Sequence, residues 1–159
     1  AAPERVVLTT SATHALNLAI AGLLDPGDHA VSTDLEHNSV LRPLYAARAR
    51  GTELTIVASE RGVVSPDAVA AALRPETRLV ALTHASNLLG TVQPVAEIAA
   101  ACAERGVTLV VDAAQTVGLL PLDLRSLPGT AVWTSSACDC SGSSRVWQPT
   151  SIRPTSGRW

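Results

Sequence analysis

The 159-residue sequence contains no lysine, no methionine and no phenylalanine, so all 12 basic residues are arginine. Its net charge is −2 and it has no long basic run, which argues against a dedicated nucleic-acid binder. No apolar run approaches the roughly 20 residues that a membrane-spanning helix needs, and residues 1–5 do not resemble the start of a signal peptide. The sequence therefore predicts a cytoplasmic protein with neither a nucleic-acid nor a membrane partner.

Tryptophan is absent from the first 132 residues and then occurs at Trp133, Trp147 and Trp159. Cys138 and Cys140 lie in the same stretch, where Ser and Thr are abundant and no helical or strand period is visible. The composition therefore changes near residue 130. We expect residues 1–130 to form a packed unit, and residues 131–159 to be a divergent tail that is non-native or disordered.

Before residue 130, short apolar runs alternate with amphipathic stretches. The runs predict strands at 5–10, 29–33, 53–58, 78–83 and 107–112, with 131–134 as a candidate sixth. Three- and four-residue spacing and capping residues predict helices at 12–23, 38–50 and 94–105 and another beginning at Pro66, with Ser65 as its N-cap. Apolar strands separated by helices indicate an α/β fold with a mainly parallel sheet and helices on both faces.

Polar clusters follow four of the predicted strands, where ligands bind in open α/β sheets. They are Thr10–Thr13, Asp34–Asn38, His84–Asn87 and Asp112–Gln115. The first suits a phosphate at a helix N-terminus, although for this motif alone a plain helix cap is the more common explanation. The others offer a histidine, amides and a strand-end carboxylate. The carboxylate needs a cationic ring nitrogen, an arginine or backbone N–H groups as its partner.

In chain order these regions read TTSATHALNLAI, DLEHNSVLRPL, THASNLLGTVQPV and LVVDAAQTVGLLPLD. Over about residues 6–124 they resemble the class V aminotransferase family of pyridoxal-phosphate enzymes, and within it the cysteine desulfurase and selenocysteine lyase branch. The resemblance implies that residues 1–130 are a partial large domain of the fold-type-I pyridoxal-phosphate transferase fold. Intact relatives are expected to be homodimers that remove sulfur from an amino-acid substrate such as cysteine, leaving alanine.

The resemblance also implies a set of residues that bind pyridoxal 5'-phosphate: Ala12, Thr13, His37, Asn87, Asp112 and Gln115. Ala12 and Thr13 match the turn that holds the phosphate, and His37 matches the histidine that stacks on the pyridine ring. Asp112 matches the aspartate that pairs with the protonated ring nitrogen and so maintains the electron sink. Asn87 and Gln115 match residues near the phenolic oxygen of the cofactor. His14 departs from the family, where many relatives carry Glu.

The family's lysine is missing. It belongs to a Ser/Thr-Gly-His-Lys motif and forms the Schiff base with the cofactor, but the matching stretch at about 132–138 reads VWTSSAC. None of Cys102, Cys138 and Cys140 matches the family's nucleophilic cysteine. We therefore assign no catalytic residue and no metal ligand, and expect at most weak, non-covalent cofactor binding and no activity in the chain as given.

Three origins of the tail remain open: a truncated gene read in a shifted frame, which we favour, a purposeful pseudoenzyme, or a real module with Cys138 and Cys140 as half of a metal site. The alternatives for function are a non-catalytic cofactor-binding or interaction domain and another class V activity. Cys102 is expected to be a core residue.

Overall fold

The computed structural model describes residues 7–120, 127–129 and 131–134. Its helices are α1 (Ala12–Leu23), α2 (Asn38–Ala49), α3 (Pro66–Ala72) and α4 (Val95–Glu104). Its strands are β1 (His29–Thr33), β2 (Glu53–Val57), β3 (Thr77–Thr83), β4 (Thr108–Asp112) and β5 (Ala131–Thr134). Within this part of the chain, no helix is long and apolar enough to cross a bilayer.

The described strands form one sheet in the order β2-β1-β3-β4-β5, and every neighbouring pair is parallel. Helices α2, α3 and α4 each connect two consecutive strands, as parallel pairing requires. The chain leaves β1 toward β2 and returns on the other side of β1 as β3. Because the connections diverge there, a crevice is expected beyond the carboxyl ends of β1 and β3.

Side chains on the strands alternate between two apolar layers. On β3, Leu79 and Ala81 pack with α1 and α2, whereas Val80 and Leu82 pack with α3 and α4. Both sets are buried, which explains why β3 is a continuous apolar run and not an alternating one. The α/β class, the mainly parallel sheet and the helices on both faces are thus confirmed.

The first predicted strand, at 5–10, is wrong in its described part. Residues 7–10 form neither helix nor strand, and Val7 and Leu8 are 76% and 92% exposed. A strand needs a neighbour to satisfy its backbone, and none of the strands β1 to β5 pairs with this segment. The apolar character of Val7 and Leu8 therefore does not produce a buried strand in the described residues 7–10.

The candidate sixth strand at 131–134 is β5, which pairs with β4 in the register Asp112↔Thr134. These four residues of the predicted tail thus continue the sheet. Residues 135–159, with Cys138, Cys140, Trp147 and Trp159, lie outside the described part of the chain. The expectation of disorder there stays a prediction.

Candidate functional site

A cavity of about 250 Å³ opens beyond the carboxyl ends of β3 and β4. All six residues of the predicted cofactor set line it: Ala12, Thr13, His37, Asn87, Asp112 and Gln115. The lining also includes five residues outside that set: Ser11, Ser39, Thr83, Ala85 and Ala114. The structure therefore brings together, from four separate segments, side chains that the sequence places up to 103 residues apart.

Helix α1 contributes one wall through its first turn. Ser11 is its N-cap, and the Ser11 hydroxyl accepts a hydrogen bond from the His14 N–H at 3.1 Å. Ala12 and Thr13 follow, and helix geometry leaves the N–H groups of such first-turn residues without an intrahelical acceptor. These groups and the positive end of the helix dipole favour an anion.

Helix α2 also begins at the cavity. His37 is its N-cap, and the His37 Nδ1 accepts a hydrogen bond from the Ser39 N–H at 3.1 Å. The Ser39 hydroxyl lies 2.7 Å from the same nitrogen and 2.9 Å from the Thr13 hydroxyl. The starts of α1 and α2 are therefore joined by side chains that line the cavity.

Asp112, the last residue of β4, supplies the carboxylate. Its Oδ1 accepts the Ala114 N–H at 3.0 Å, and Oδ2 has no hydrogen-bond partner among the described residues. Burial raises the pKa of Asp112, and the Ala114 N–H and the nearby His37 only partly oppose this. Among the residues that the structure describes, the carboxylate has no strong cationic partner, which a cation in the cavity would supply.

Asn87 and Gln115 line the cavity from the loops after β3 and β4. Neither side-chain amide is hydrogen-bonded to another residue in the described part of the chain. The two loops are tied together by a buried 2.8 Å hydrogen bond between His84 Nδ1 and the Thr116 hydroxyl. Burial lowers the pKa of His84, which favours its neutral form. The loops are anchored while both amides remain available to a ligand.

Glu36, which no sequence pattern singles out, lies just behind the site. Its Oε1 accepts hydrogen bonds from the Thr33 hydroxyl at 2.7 Å and from the Thr83 N–H at 2.9 Å, which joins the ends of β1 and β3. Burial raises the pKa of Glu36 to about 8, although both hydrogen bonds lower it. Its Oε2 is buried without a partner in the described structure.

Ser39 was also missed, although its sequence carries a usable signal. A hydroxyl two residues after a histidine, at the start of a helix, can reach back to that ring. No comparable signal identifies Glu36, because Asp34 lies in the same polar cluster and the sequence cannot show which carboxylate is buried.

The described lining contains no thiol and no amine; its polar side chains are hydroxyls, two amides, a histidine and a carboxylate. Cys102 lies in α4 and is buried in the core as predicted, and burial raises its pKa to about 12. No group of three or more potential metal ligands occurs in the described ranges. What the cavity combines is an anion-favouring end, a buried carboxylate, a histidine and two unpaired amides.

The family profile described as aminotransferase class-V matches residues 1–134. The chain belongs to the aminotransferase class-V family. This class-V match includes β5 and every residue of the cavity.

Class-V relatives with curated names are similar over most of this chain. The cysteine desulfurase IscS of Anaeromyxobacter sp. (strain K) is 39% identical over 132 residues, which are 80% of this chain and 33% of the relative. A probable cysteine desulfurase of Methanothermobacter thermautotrophicus is 39% identical over 129 residues, covering 80% and 32%. The chain thus spans about a third of the length of these relatives.

Solved structures show the same fold. A structure described as SspA in complex with cysteine has a TM-score of 0.75 and 33% identity, over 79% of this chain and 38% of that one. The apo cysteine desulfurase of Thermococcus onnurineus NA1 has a TM-score of 0.73 and 30% identity, over 79% and 32%. This class-V chain therefore has part of the fold of those enzymes.

Proposed function

We propose that this chain carries the pyridoxal 5'-phosphate-binding part of a cysteine desulfurase-like enzyme. The observation that carries the proposal is the convergence of all six family-matched residues in one cavity. The likeness to named cysteine desulfurases at 39% identity supports the same reading.

The polar groups of the cavity fit the polar parts of this cofactor. The first turns of α1 and α2 suit its phosphate, because two helix N-termini meet there. The Asp112 carboxylate, with one oxygen unpaired, suits its protonated ring nitrogen. The free amides of Asn87 and Gln115 suit its phenolic oxygen. When bound, pyridoxal phosphate supplies an electron sink for bonds to the α-carbon of an amino acid.

Each side chain then has a distinct task. Asp112 holds a proton at the ring nitrogen, and His37 covers one face of the ring. Gln115 and Asn87 orient the ring through its phenolic oxygen. Thr13 helps to bind the phosphate. Asp112 should ionise more readily once the cation is present, since an adjacent positive charge lowers the pKa of a carboxyl group.

The substrate of the whole enzyme is proposed to be cysteine or a closely related amino acid, and the whole enzyme is proposed to be a cytoplasmic homodimer. Support for the substrate comes from the SspA structure, which is described as a complex with cysteine. The chain covers about a third of such relatives, so the substrate and the oligomeric state are proposed for the whole enzyme and not for this chain alone.

The 159-residue chain itself is proposed to bind the cofactor weakly and to cleave no C–S bond. It contains no lysine, so no side chain can supply the primary amine that attaches the cofactor covalently. Without that amine, the cofactor can still bind through the helix N-termini, through the pairing of its ring nitrogen with Asp112, and through hydrogen bonds to the side-chain amides.

Binding is tested by titrating the chain with pyridoxal phosphate and monitoring the absorbance and fluorescence of the cofactor. We expect saturable, reversible binding that weakens by about tenfold to a hundredfold in Asp112→Asn, because one lost charge-assisted hydrogen bond costs roughly 1.5–3 kcal/mol. The control Asp67→Asn removes an exposed carboxylate from α3 and should bind as the unchanged chain does.

Borohydride reduction and mass spectrometry test attachment, and sulfide release from cysteine tests turnover. We expect no pyridoxyl adduct and no sulfide above that produced by free cofactor. An adduct accompanied by turnover would overturn the proposed inactivity. Failure of the chain to bind the cofactor at all would overturn the proposed site.

A further inference from the structure

Three side chains in the cavity wall form one line of hydrogen bonds, which we name the hydroxyl chain: Thr13, Ser39 and His37. Thr13 Oγ1 lies 2.9 Å from Ser39 Oγ, and Ser39 Oγ lies 2.7 Å from His37 Nδ1. Ser39 in the middle of the line is only 8% exposed, whereas Thr13 and His37 at its two ends are exposed in the cavity. The hydroxyl chain joins the residue matched to the phosphate turn with the residue matched to ring stacking.

The direction of these bonds follows from counting protons. The backbone N–H of Ser39 can only donate, and it donates to His37 Nδ1 at 3.1 Å. That nitrogen is therefore an acceptor, and the neutral ring carries its hydrogen on Nε2. In that tautomer the Ser39 hydroxyl can only donate to Nδ1, where it shares the single lone pair of the nitrogen with the backbone N–H. Thr13 in turn must donate to Ser39, so both protons are directed away from the cavity's anion-favouring end.

An anion beside Thr13 changes this arrangement. Thr13 has one hydroxyl proton, and a phosphate oxygen and Ser39 compete for it. If Thr13 donates to the anion, Ser39 can reverse its own proton and donate to Thr13. His37 Nδ1 loses the Ser39 hydroxyl but keeps the Ser39 backbone N–H. Each hydroxyl still donates one proton, and no proton enters or leaves the protein.

We propose that Ser39 is a positioning residue whose hydroxyl proton switches from His37 to Thr13 when an anion binds. The inference rests on the proposed function, because the anion is the phosphate group of the proposed cofactor. Ser39 thereby strengthens Thr13 as a donor in the occupied site, while its backbone N–H keeps His37 in one tautomer. The occupancy of one end of the cavity is thus sensed at the histidine.

Nuclear magnetic resonance of the ¹⁵N-labelled full chain tests the switch, with inorganic phosphate as the probe. Long-range ¹H–¹⁵N correlations of the His37 ring report the hydrogen bonds at Nδ1. In the unchanged chain we expect the Nδ1 resonance to move as phosphate saturates the site, because Nδ1 loses one of its two donors.

Variants assign that response to Ser39. Ser39→Ala should leave Nδ1 unmoved by phosphate, because the hydroxyl that changes partner is gone. Ser39→Thr keeps a hydroxyl and should restore the movement of the Nδ1 resonance. Ser65→Ala is the control, because it removes the N-cap hydroxyl of another helix, α3, away from the cavity.

The outcomes separate the two proposals. Phosphate that binds without moving Nδ1 in the unchanged chain, or that moves it equally in Ser39→Ala, would overturn the switch and leave the anion site standing. Phosphate that binds to no variant would overturn both. If Ser39→Ala does not fold, the response of the unchanged chain and of Ser39→Thr still decides.

Discussion

Among single residues, Glu36 gives the fold its clearest sensitivity to pH. Its pKa is raised from an ordinary value of 4.5 to about 8 because it is buried. Between those values the folded protein holds a proton that the unfolded chain releases. The contribution of Glu36 to the free energy of unfolding is therefore complete below pH 4.5. It is lost as the pH rises through 8, by up to about 1.4 kcal/mol per pH unit.

Glu36→Gln removes this ionisation and should flatten the alkaline fall in stability. Urea unfolding at pH 5.0, 6.5 and 8.0 measures the difference in unfolding free energy between the unchanged chain and the variant, and that difference should shift in favour of the variant as the pH rises. Glu104→Gln, an exposed position on α4, should follow the unchanged chain. Equal pH slopes in the unchanged chain and Glu36→Gln would contradict the raised pKa.

At this scale the family-matched residues could be predicted, but their supporting neighbours could not. Asp112 ends an apolar strand and matches a motif, so both the pattern and the resemblance identify it. Glu36 acquires its role only because β1 and β3 end side by side, with Thr33 and Thr83 donating to one carboxylate oxygen. That juxtaposition depends on strand order, which no local pattern encodes.

Among elements, α1 shows how burial divides residues that differ little in the sequence. Leu16 is completely buried against the sheet, whereas Leu18 in the same helix is 54% exposed. Leu16→Ala should lower the unfolding free energy by about 2–5 kcal/mol through a lost side chain and a cavity. Leu18→Ala should change it by less than about 0.5 kcal/mol. Chemical denaturation measures both, and similar losses would contradict the packing of α1.

His29 on β1 links three strands through two hydrogen bonds, from Nδ1 to Thr77 on β3 at 2.7 Å and from Nε2 to Thr55 on β2 at 2.9 Å. Burial, helped by nearby Arg74, lowers its pKa below 6.5. The folded protein therefore keeps His29 neutral while the unfolded chain gains a proton. This stabilisation is complete above pH 6.5 and is lost as the pH falls below it.

His29→Gln should weaken that acid dependence. Because Glu36 acts in the opposite direction in part of the same pH range, the comparison is best made in the Glu36→Gln background. Urea unfolding at pH 7.5 and 5.0 should show a smaller loss at low pH when His29 is replaced. If the unfolding free energy falls as much at low pH without His29, another group controls the stability at acid pH.

Strands β3 and β4 could be predicted because helices cover both faces of the sheet, which leaves continuous apolar runs in the sequence. The same reasoning fails at residues 7–10, where Val7 and Leu8 are apolar but have no neighbouring strand. An apolar run indicates that a segment can be buried. Whether a partner exists is a property of the sheet and not of the run.

For the whole molecule, the cofactor should act as a stabilising ligand. A ligand that binds only the folded state adds about 2.7 kcal/mol at one hundred times its Kd. We expect saturating pyridoxal phosphate to raise the Tm of the chain and pyridoxal, which lacks the phosphate, to raise it less. Thermal unfolding followed by circular dichroism measures this. Equal shifts for the two compounds would contradict a phosphate site at the starts of α1 and α2.

The six family-matched residues lie between positions 12 and 115, and the strands that carry the cavity, β1, β3 and β4, are complete by position 112. During synthesis on the ribosome, every wall of this cavity therefore leaves the exit tunnel before β5 does. The nascent chain does not have to wait for its C-terminal residues to assemble these walls. We therefore expect pyridoxal phosphate to be able to bind the nascent chain before its synthesis ends and to favour its early folding.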